Sequence, residues 1–280
     1  MKYTILDFNK QFPDEVACLD EMFNRRFGAL KVCPKCEKDT TFYRSKSRKV
    51  YACQFCGHQL SPLADTIFHK SSTPLKLWFH AIFLFSTSKN GVSAKELERQ
   101  LGVTYKCAWR MAKQIRTLME QGDDLLGGTV EVDETYVGGR RKGTAGRGAK
   151  GKTSIVGLVE RGGNIKAFKT ENVNSTTLTG LVYNHIEREA KVMTDEFGGY
   201  HYVKLHNSHE TVAHGKKQYV RGNVHTNTIE GFWSQLKRSV RGTYVHVSKQ
   251  HMQSYINEFA WRYNQRNATT PLFLQLLQRI

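Results

Sequence analysis

The chain has 280 residues, with 42 Lys and Arg against 25 Asp and Glu, a formal net charge of +17 beside 11 His. A charged fraction of 24% and a hydrophobic fraction of 39% are ordinary globular values and exclude wholesale disorder. The excess of cations points to a polyanionic partner, nucleic acid ahead of an anionic membrane. The longest apolar-rich run, residues 77–85, falls far short of the roughly 20 residues that a membrane span needs. The first residues carry no apolar signal core, so a cytoplasmic protein with no membrane partner is expected.

Residues 1–30 form a helical N-terminal segment in which FPDEVACLDEMFNRRFG is amphipathic. Residues 31–62 then carry Cys33, Cys36, Cys53 and Cys56, two C-x2-C pairs sixteen residues apart. A two-residue gap lets both thiolates of a tight turn face one tetrahedral metal, and two such turns close the site. The spacing predicts a zinc ribbon holding one structural Zn2+; two disulfides, or four unrelated thiols, are the competing readings. Pro34 and Gly57 suit the turns. Between the pairs, TTFYRSKSRKVYA holds four basic residues and no acid, and reads as two short strands joined by a basic turn. Cys18 and Cys107 lie on helix-like segments and read as ordinary buried thiols.

Residues 74–122 are helical. A largely apolar helix starts at Pro74 and runs to about residue 90. Ser93 with Glu96 forms a capping-box signature for the next helix, which ends near Gly102. Thr104 caps a further helix to about Met119. Two helices about a short Gly-containing turn fit a helix-turn-helix unit, whose second helix would lead into a DNA major groove with Thr104, Tyr105, Lys106 and Arg110. Asp123-Asp124-Leu125-Leu126-Gly127-Gly128 marks a boundary. Residues 1–128 have a net charge of +7 and residues 129–280 a net charge of +10, so both parts are expected to touch the same polyanion.

From Thr129, TVEVDETYV alternates Val130 and Val132 with Glu131 and Asp133 as a strand does. The run 140–152 holds six basic residues, four glycines and no acid: Arg140, Arg141, Lys142, Arg147, Lys150 and Lys152. It is expected to order on a phosphate backbone. A hairpin about Gly162-Gly163, a helix over 175–189 and a short strand ending at Asp195 follow, suggesting a mixed sheet. His201, His206, His209, His214 and His225 read as loop residues matching no zinc spacing, with His225 the one considered for an active-site role. HTNTIEGFWSQLKR forms a helix that places Asn227, Glu230 and Lys237 on one face and Ile229, Phe232, Trp233 and Leu236 on its apolar side. A C-terminal helix with Met252, Tyr255, Ile256, Phe259 and Tyr263 at helical spacing packs on the sheet, and Thr270-Pro271 opens a closing helix.

Sixty-one residues separate Asp133 from Asp195, and 34 separate Asp195 from Glu230. This order of strand-Asp, strand-Asp, helix-Glu resembles the DDE transposases and integrases. With the zinc ribbon, the helix-turn-helix, V-E-V-D-E-T-Y-V-G-G, T-N-T-I-E-G-F-W-S-Q-L-K-R and H-V-S, nearly the whole chain is similar to prokaryotic insertion-sequence transposases of the zinc-ribbon kind. The resemblance implies an α+β multidomain chain whose residues 129–280 form a ribonuclease H-like mixed α/β catalytic domain. It implies Asp133 and Asp195 as ligands of two Mg2+ (or Mn2+), with Glu230, or alternatively Asn227, in the third place. It implies that Lys237 contacts substrate phosphate, beside Arg238 and Arg241. The activity implied is cleavage at element ends and transfer to target, both double-stranded DNA, by a homodimer or higher oligomer. Two other readings of the same residues are a non-catalytic zinc-ribbon DNA-binding regulator and a metal-dependent nuclease that cuts without joining.

Overall fold

The computed structural model describes residues 3–138, 151–213 and 220–280. Two compact units emerge: Met1–Ser88 with Val92–Leu118 and Ala268–Ile280, and Lys89–Gly91 with Met119–Asn267.

In the first unit, helix α1 (Ile5–Gln11) starts at Thr4, whose side chain and that of Asp7 cap each other's backbone amides. Helix α2 (Glu15–Phe27) starts at Asp14 and buries Cys18, Leu19 and Met22. Strands β1 (Phe42–Arg44), β2 (Tyr51–Cys53) and β3 (Gln59–Leu60) form an antiparallel three-stranded ribbon. Phe23 of α2 stacks on Tyr51 at 3.8 Å between ring centroids, and the Tyr51 hydroxyl donates to Asp20. Helix α3 (Leu75–Thr87) is apolar nearly all round, and Trp78, Phe79, Ala81, Ile82 and Phe85 are wholly buried. Helices α4 (Ala94–Leu101) and α5 (Tyr105–Thr117) are capped at Ser93 and Thr104. The turn between them passes through Gly102 at φ +65°, the left-handed conformation that ends a helix without a Cβ clash.

The second unit is built on a five-stranded mixed sheet. Strands β4 (Thr129–Val137), β5 (Thr153–Glu160) and β6 (Ile165–Thr170) form an antiparallel meander. Helix α6 (Ser175–His185) then returns the chain to β7 (Lys191–Asp195), parallel to β4, and β8 (Ser208–Val212) lies parallel to β7. The order across the sheet is β6-β5-β4-β7-β8. Period-two alternation sorts the side chains. Val130, Val132, Val156 and Leu158 face Leu178 and Val182 of α6. On the opposite face, Ile155, Val159 and Ala167 pack under Ile229, Phe232, Trp233 and Leu236 of α7 (Asn227–Ser239) and Ile256 and Phe259 of α8 (Met252–Asn264).

Three local departures from the sequence reading have physical causes. Helix α6 stops at His185, short of 189, because Ile186 turns extended and bridges to Leu126. Strand β8 holds His209 in a region read as loop; its side chains are mostly polar and it lies at the sheet edge, so no apolar alternation marks it. Residues 268–280, grouped by sequence with the C-terminal domain, belong to the first unit. There α9 (Leu272–Gln278) inserts Phe273 among Tyr3, Phe8, Phe12, Phe79 and Phe83. Among the described residues, no helix is long and apolar enough to cross a membrane.

Phe273 is 1% exposed at the centre of this aromatic cluster. Phe273→Ala is expected to destabilise the first unit by about 3–5 kcal/mol. Thermal and urea unfolding check this; an unchanged midpoint would mean that α9 does not pack there.

Candidate active site and metal centre

Alternation along β4 puts Glu131 and Asp133 on the face covered by α7, opposite to Val130 and Val132. In the parallel pairing of β4 with β7, Glu131 lies across from Met193. Continued two residues, that register brings Asp133 across from Asp195, the last residue of β7. The Trp233 indole N–H donates to Asp133 Oδ2 at 2.9 Å, and the Phe197 amide donates to Asp195 Oδ1 at 3.0 Å. Gly157 of β5 pairs with Asp133. A Cβ there would lie 2.6 Å from the Trp233 indole and 2.8 Å from Ile229 Cδ1, so the bare backbone makes the room in which the indole reaches Asp133. Burial, and then the charges of Glu134 and Asp195, push the Asp133 carboxyl up to about 7. Two oxygen donors that repel one another in a dry position fit a hard divalent cation, which would relieve both penalties.

Glu131 is 0% exposed and is bonded on every side. It accepts from the Thr228 amide (2.8 Å), the Ile229 amide (3.1 Å) and the Thr228 hydroxyl (2.9 Å), all in the first turn of α7. Arg161 donates to it at 2.7 Å and reaches the carbonyls of Asn223 (2.6 Å) and His225 (2.8 Å) in the approach to the helix. His225 Nδ1 stands 3.2 Å from the same carboxylate. Thr226, at the N-cap, makes no side-chain cap, so Glu131 supplies it from across the sheet. The sequence reading passed over Glu131 as a mere neighbour of Asp133. The signal that finds it is its place two residues before Asp133, on the same strand face.

Asn227 and Glu230 are both exposed in the first turn of α7, and Glu230 Oε1 accepts from the Thr226 hydroxyl at 3.0 Å. Asp133, Asp195 and Glu230 do not converge to within 4.8 Å; among the described residues, only the four cysteines form so tight a group. Lys237, two turns beyond Glu230, is half-buried. Burial lowers its pKa first and the positive charges of Arg241 and Lys152 add to that, while Asp133 opposes it. Lys152, Lys237 and Arg241 together line a cavity of about 680 Å³. Arg238 is exposed and reaches the Ser234 hydroxyl.

In the first unit Lys106 is exposed on α5, with Tyr105, Trp109 and Lys113 beside it at helical spacing. Arg110 does not join that face: its guanidinium turns to the His69 carbonyl and lies over the Trp78 ring. Arg140, Arg141, Lys142, Arg147 and Lys150 lie outside the described residues, as does His214.

The four ribbon thiols are free. Cys33 and Cys56 Sγ are 3.7 Å apart and Cys36 and Cys53 Sγ are 3.8 Å apart, with all four within 4.8 Å of one another. A tetrahedron with metal–sulfur bonds of ~2.3 Å has edges of ~3.8 Å, so the set fits Zn2+; the distances are far beyond the ~2.05 Å of a disulfide. The two knuckles match in backbone as well. Glu37 and Gly57 both adopt positive φ, and their amides return to the carbonyls of Cys33 and Cys53.

The four-cysteine ribbon and the mixed sheet bearing Asp133 and Asp195 both match known families. The ISXO2-like transposase domain matches residues 125–264 and the transposase zinc-ribbon domain matches residues 13–59. The chain belongs to the ISXO2-like transposase family. A Halobacterium salinarum protein, described as an uncharacterized protein in transposable element ISH50, is 27% identical over 252 residues, covering 82% of this chain and 84% of that one. Two solved structures are similar at 12% identity. One is the simian T-cell lymphotropic virus intasome in complex with PP2A regulatory subunit B56 gamma, with 64% of this chain and 66% of that chain covered and a TM-score of 0.34. The other is the Mos1 strand transfer complex, with 67% and 76% covered and a TM-score of 0.25.

Glu131→Ala leaves the Arg161 guanidinium and the first amides of α7 without their acceptor. It is expected to destabilise the second unit by about 3–5 kcal/mol, read by chemical denaturation. The purified protein is expected to carry one zinc per chain by metal analysis, lost in Cys36→Ser; full zinc content in that variant would remove Cys36 from the ligand set.

Proposed function

We propose that this transposase binds the ends of its own element and carries out metal-dependent cleavage and strand transfer at a site formed by Asp133, Asp195 and the first turns of α7. The observation that carries the reading is Asp133 on β4, on the sheet face covered by the helix that bears Asn227, Glu230 and Lys237, with the charge of Asp195 at the end of the adjacent parallel strand acting on it. A meander of three antiparallel strands flanked by two parallel ones supports a ribonuclease H-like core. Two Mg2+ ions bound there would supply the polarisation of the phosphodiester needed for attack by water or by a 3′-hydroxyl.

The chain's own residues divide the remaining work. Asp133 and Asp195 hold the ions, and Trp233 fixes the Asp133 carboxylate through its indole N–H. Glu230 or Asn227, one helical turn apart, completes the ligand set. Lys237 places a cation next to Asp133, where it would hold a substrate phosphate, and Lys152, Arg238 and Arg241 extend that contact. Helices α4 and α5 act as a helix-turn-helix reading duplex DNA through Tyr105, Lys106, Trp109 and Lys113, whose exposed cations and aromatic rings suit a groove and its phosphates. The zinc ribbon serves as a further DNA contact. Two element ends must meet, so a homodimer or higher oligomer is the working form, in the prokaryotic cytoplasm where the nucleoid is accessible.

The test supplies purified protein with DNA carrying the ends of its element, a target plasmid and Mg2+ or Mn2+. Joined products are expected from the wild type. Asp133→Asn and Asp195→Asn are expected to lower cleavage and joining by about a thousandfold or more, several kcal/mol of barrier, while still shifting end DNA in a gel. Equal activity in wild type and Asp133→Asn sinks the catalytic assignment. Cutting without joining identifies a nuclease, and binding with neither identifies a regulator. Glu230→Ala and Asn227→Ala, compared in the same assay, decide the third ligand by which one needs more Mg2+.

A further inference from the structure

Two irregular pieces of backbone follow the last regular turn of α7. Val240–Tyr244 is a π-helical turn, and Val245 then takes φ +63° and ψ −53°. The His246 amide closes back on the Tyr244 carbonyl at 2.6 Å, making a three-residue γ-turn of the rare positive-φ kind. Valine suits that conformation poorly, because its branched Cβ crowds the neighbouring carbonyl. Such strain survives where the surroundings over-determine it, and it collects at ligand clamps and active sites. Here both flanks are pinned. The Tyr244 hydroxyl is held by both oxygens of the buried Glu258 at 2.9 Å, and a Cβ on Gly91 would lie 1.8 Å from that hydroxyl. On the other side, Val247 is 8% exposed in the core. Between two fixed ends, Val245 is thrust outward and is 78% exposed. Among the described residues, no core cluster includes this side chain, although it is apolar and sits in a strained backbone.

What Val245 borders is the cavity of about 680 Å³ described above. Its volume lies within the ~300–1,000 Å³ range of small-ligand sites. Val137, Val247 and Met252 give it an apolar wall, and Lys152, Lys237 and Arg241 give it cations. An apolar recess with several cations fits a ligand that has a flat apolar body on an anionic tether, which describes a nucleotide. Val137, four residues beyond Asp133 on β4, and Lys237 of α7, the helix whose Trp233 bonds Asp133, both line the recess, so it adjoins the proposed cutting site. A base in a duplex reaches such a recess only if it leaves the stack, and an apolar side chain inserted at a base step is a known physical means of unstacking.

We propose that Val245 is a wedge that unstacks the duplex beside the scissile phosphate, and that this cavity receives one nucleotide displaced from the strand. The proposal rests on the DNA-cleaving function inferred above and adds a substrate conformation to it.

The test uses the full chain and duplexes of the element's end in which 2-aminopurine, a base that brightens on unstacking, replaces each nucleotide within three positions of the cut in turn. The Asp133→Asn variant prevents cleavage during the reading. A several-fold rise at one position is expected. Adding Val245→Gly is expected to remove most of that rise while raising the melting temperature, since glycine accepts the positive φ. A residue that merely supports the fold would not move the two readouts in opposite directions. His246→Trp, made in the otherwise wild-type chain, fills the cavity from an exposed position. It is expected to slow cutting of the intact duplex and to recover on a duplex that is abasic at the bright position. Absence of any rise on DNA that the wild type cuts overturns the wedge and pocket while leaving the cleavage function intact. So does a rise that Val245→Gly leaves unchanged. Failure of the wild type to cut end DNA with any divalent metal overturns the function itself, and this proposal with it.

Discussion

The contact on which the second unit depends is between the Glu131 carboxylate and the N-terminus of α7. Two backbone amides, a hydroxyl and the Arg161 guanidinium converge on one carboxylate that has no exposure to solvent. Two residues along the same strand, Asp133 receives the indole of Trp233 from the same helix. Two residues of strand advance by about 6.6 Å. The four to five residues of helix from Thr228 or Ile229 to Trp233 advance by about 6–7.5 Å. The two steps match, so strand and helix are registered at two points. Everything that α7 carries follows from that registration: Asn227 and Glu230 in its first turn, Lys237 in its third, and the irregular turn at its end. Gly157 makes the second point attainable, because any side chain there would occupy the place of the indole.

The acids of β4 show how burial decides what a carboxylate is for. Glu131 is inside the protein and fully compensated, with an arginine, backbone amides and a hydroxyl replacing water. Glu134, on the opposite face, accepts from the buried Tyr200 hydroxyl at 2.8 Å. Asp133 is also largely buried, but its neighbours include the like charges of Glu134 and Asp195, and its carboxylate accepts from the Trp233 indole N–H. The same strand thus carries one satisfied acid and one poised acid on one face, two residues apart. Frustration of that kind concentrates at sites where a ligand completes the balance. For a pair of carboxylates the natural complement is a divalent cation.

How much of this was legible in the sequence depended on the range of the interaction. The ribbon cysteines were legible because their spacing is itself the geometry: two residues between thiols makes a knuckle. The starts of α4 and α5 were legible at Ser93 and Thr104, since a cap is a contact within four residues. Strand β4 was legible from alternation, and with it the shared face of Glu131 and Asp133. The use of that face was not. Nothing local to V-E-V-D distinguishes an acid that caps a helix nearly a hundred residues later from one that faces a like charge. His225 was considered for the chemistry, and the structure places it beside Glu131, again a partner distant in sequence. Arg110 was read by its position on a helix, but its direction is set by His69 and Trp78, which another segment brings up. Phe273 was invisible for the same reason: a short apolar helix at the end of a chain says nothing of which aromatic cluster it completes.

The net charge of +17 and the acidic site are two sides of one constraint. A strongly cationic chain attracts polyanions over its whole surface, and salt screens that attraction within about 10 Å. The proposed chemistry on a phosphodiester would require in addition a place where the protein is locally anionic, so that a metal rather than a lysine could occupy the reacting position. The fold offers such a place where β7 ends at Asp195 beside β4 and α7 packs on β4 and β5. The cations around it come from other elements: Lys152 from the start of the β5 segment, Lys237 from α7 and Arg241 from the turn beyond it. Lys237 stands close enough to Asp133 for the two charges to feel one another. A lysine salt-bridged to Asp133 would neutralise the carboxylate and remove the reason for a metal to bind. At the proposed site, the register of α7 on β4 would let the carboxylate and the lysine act on a substrate separately.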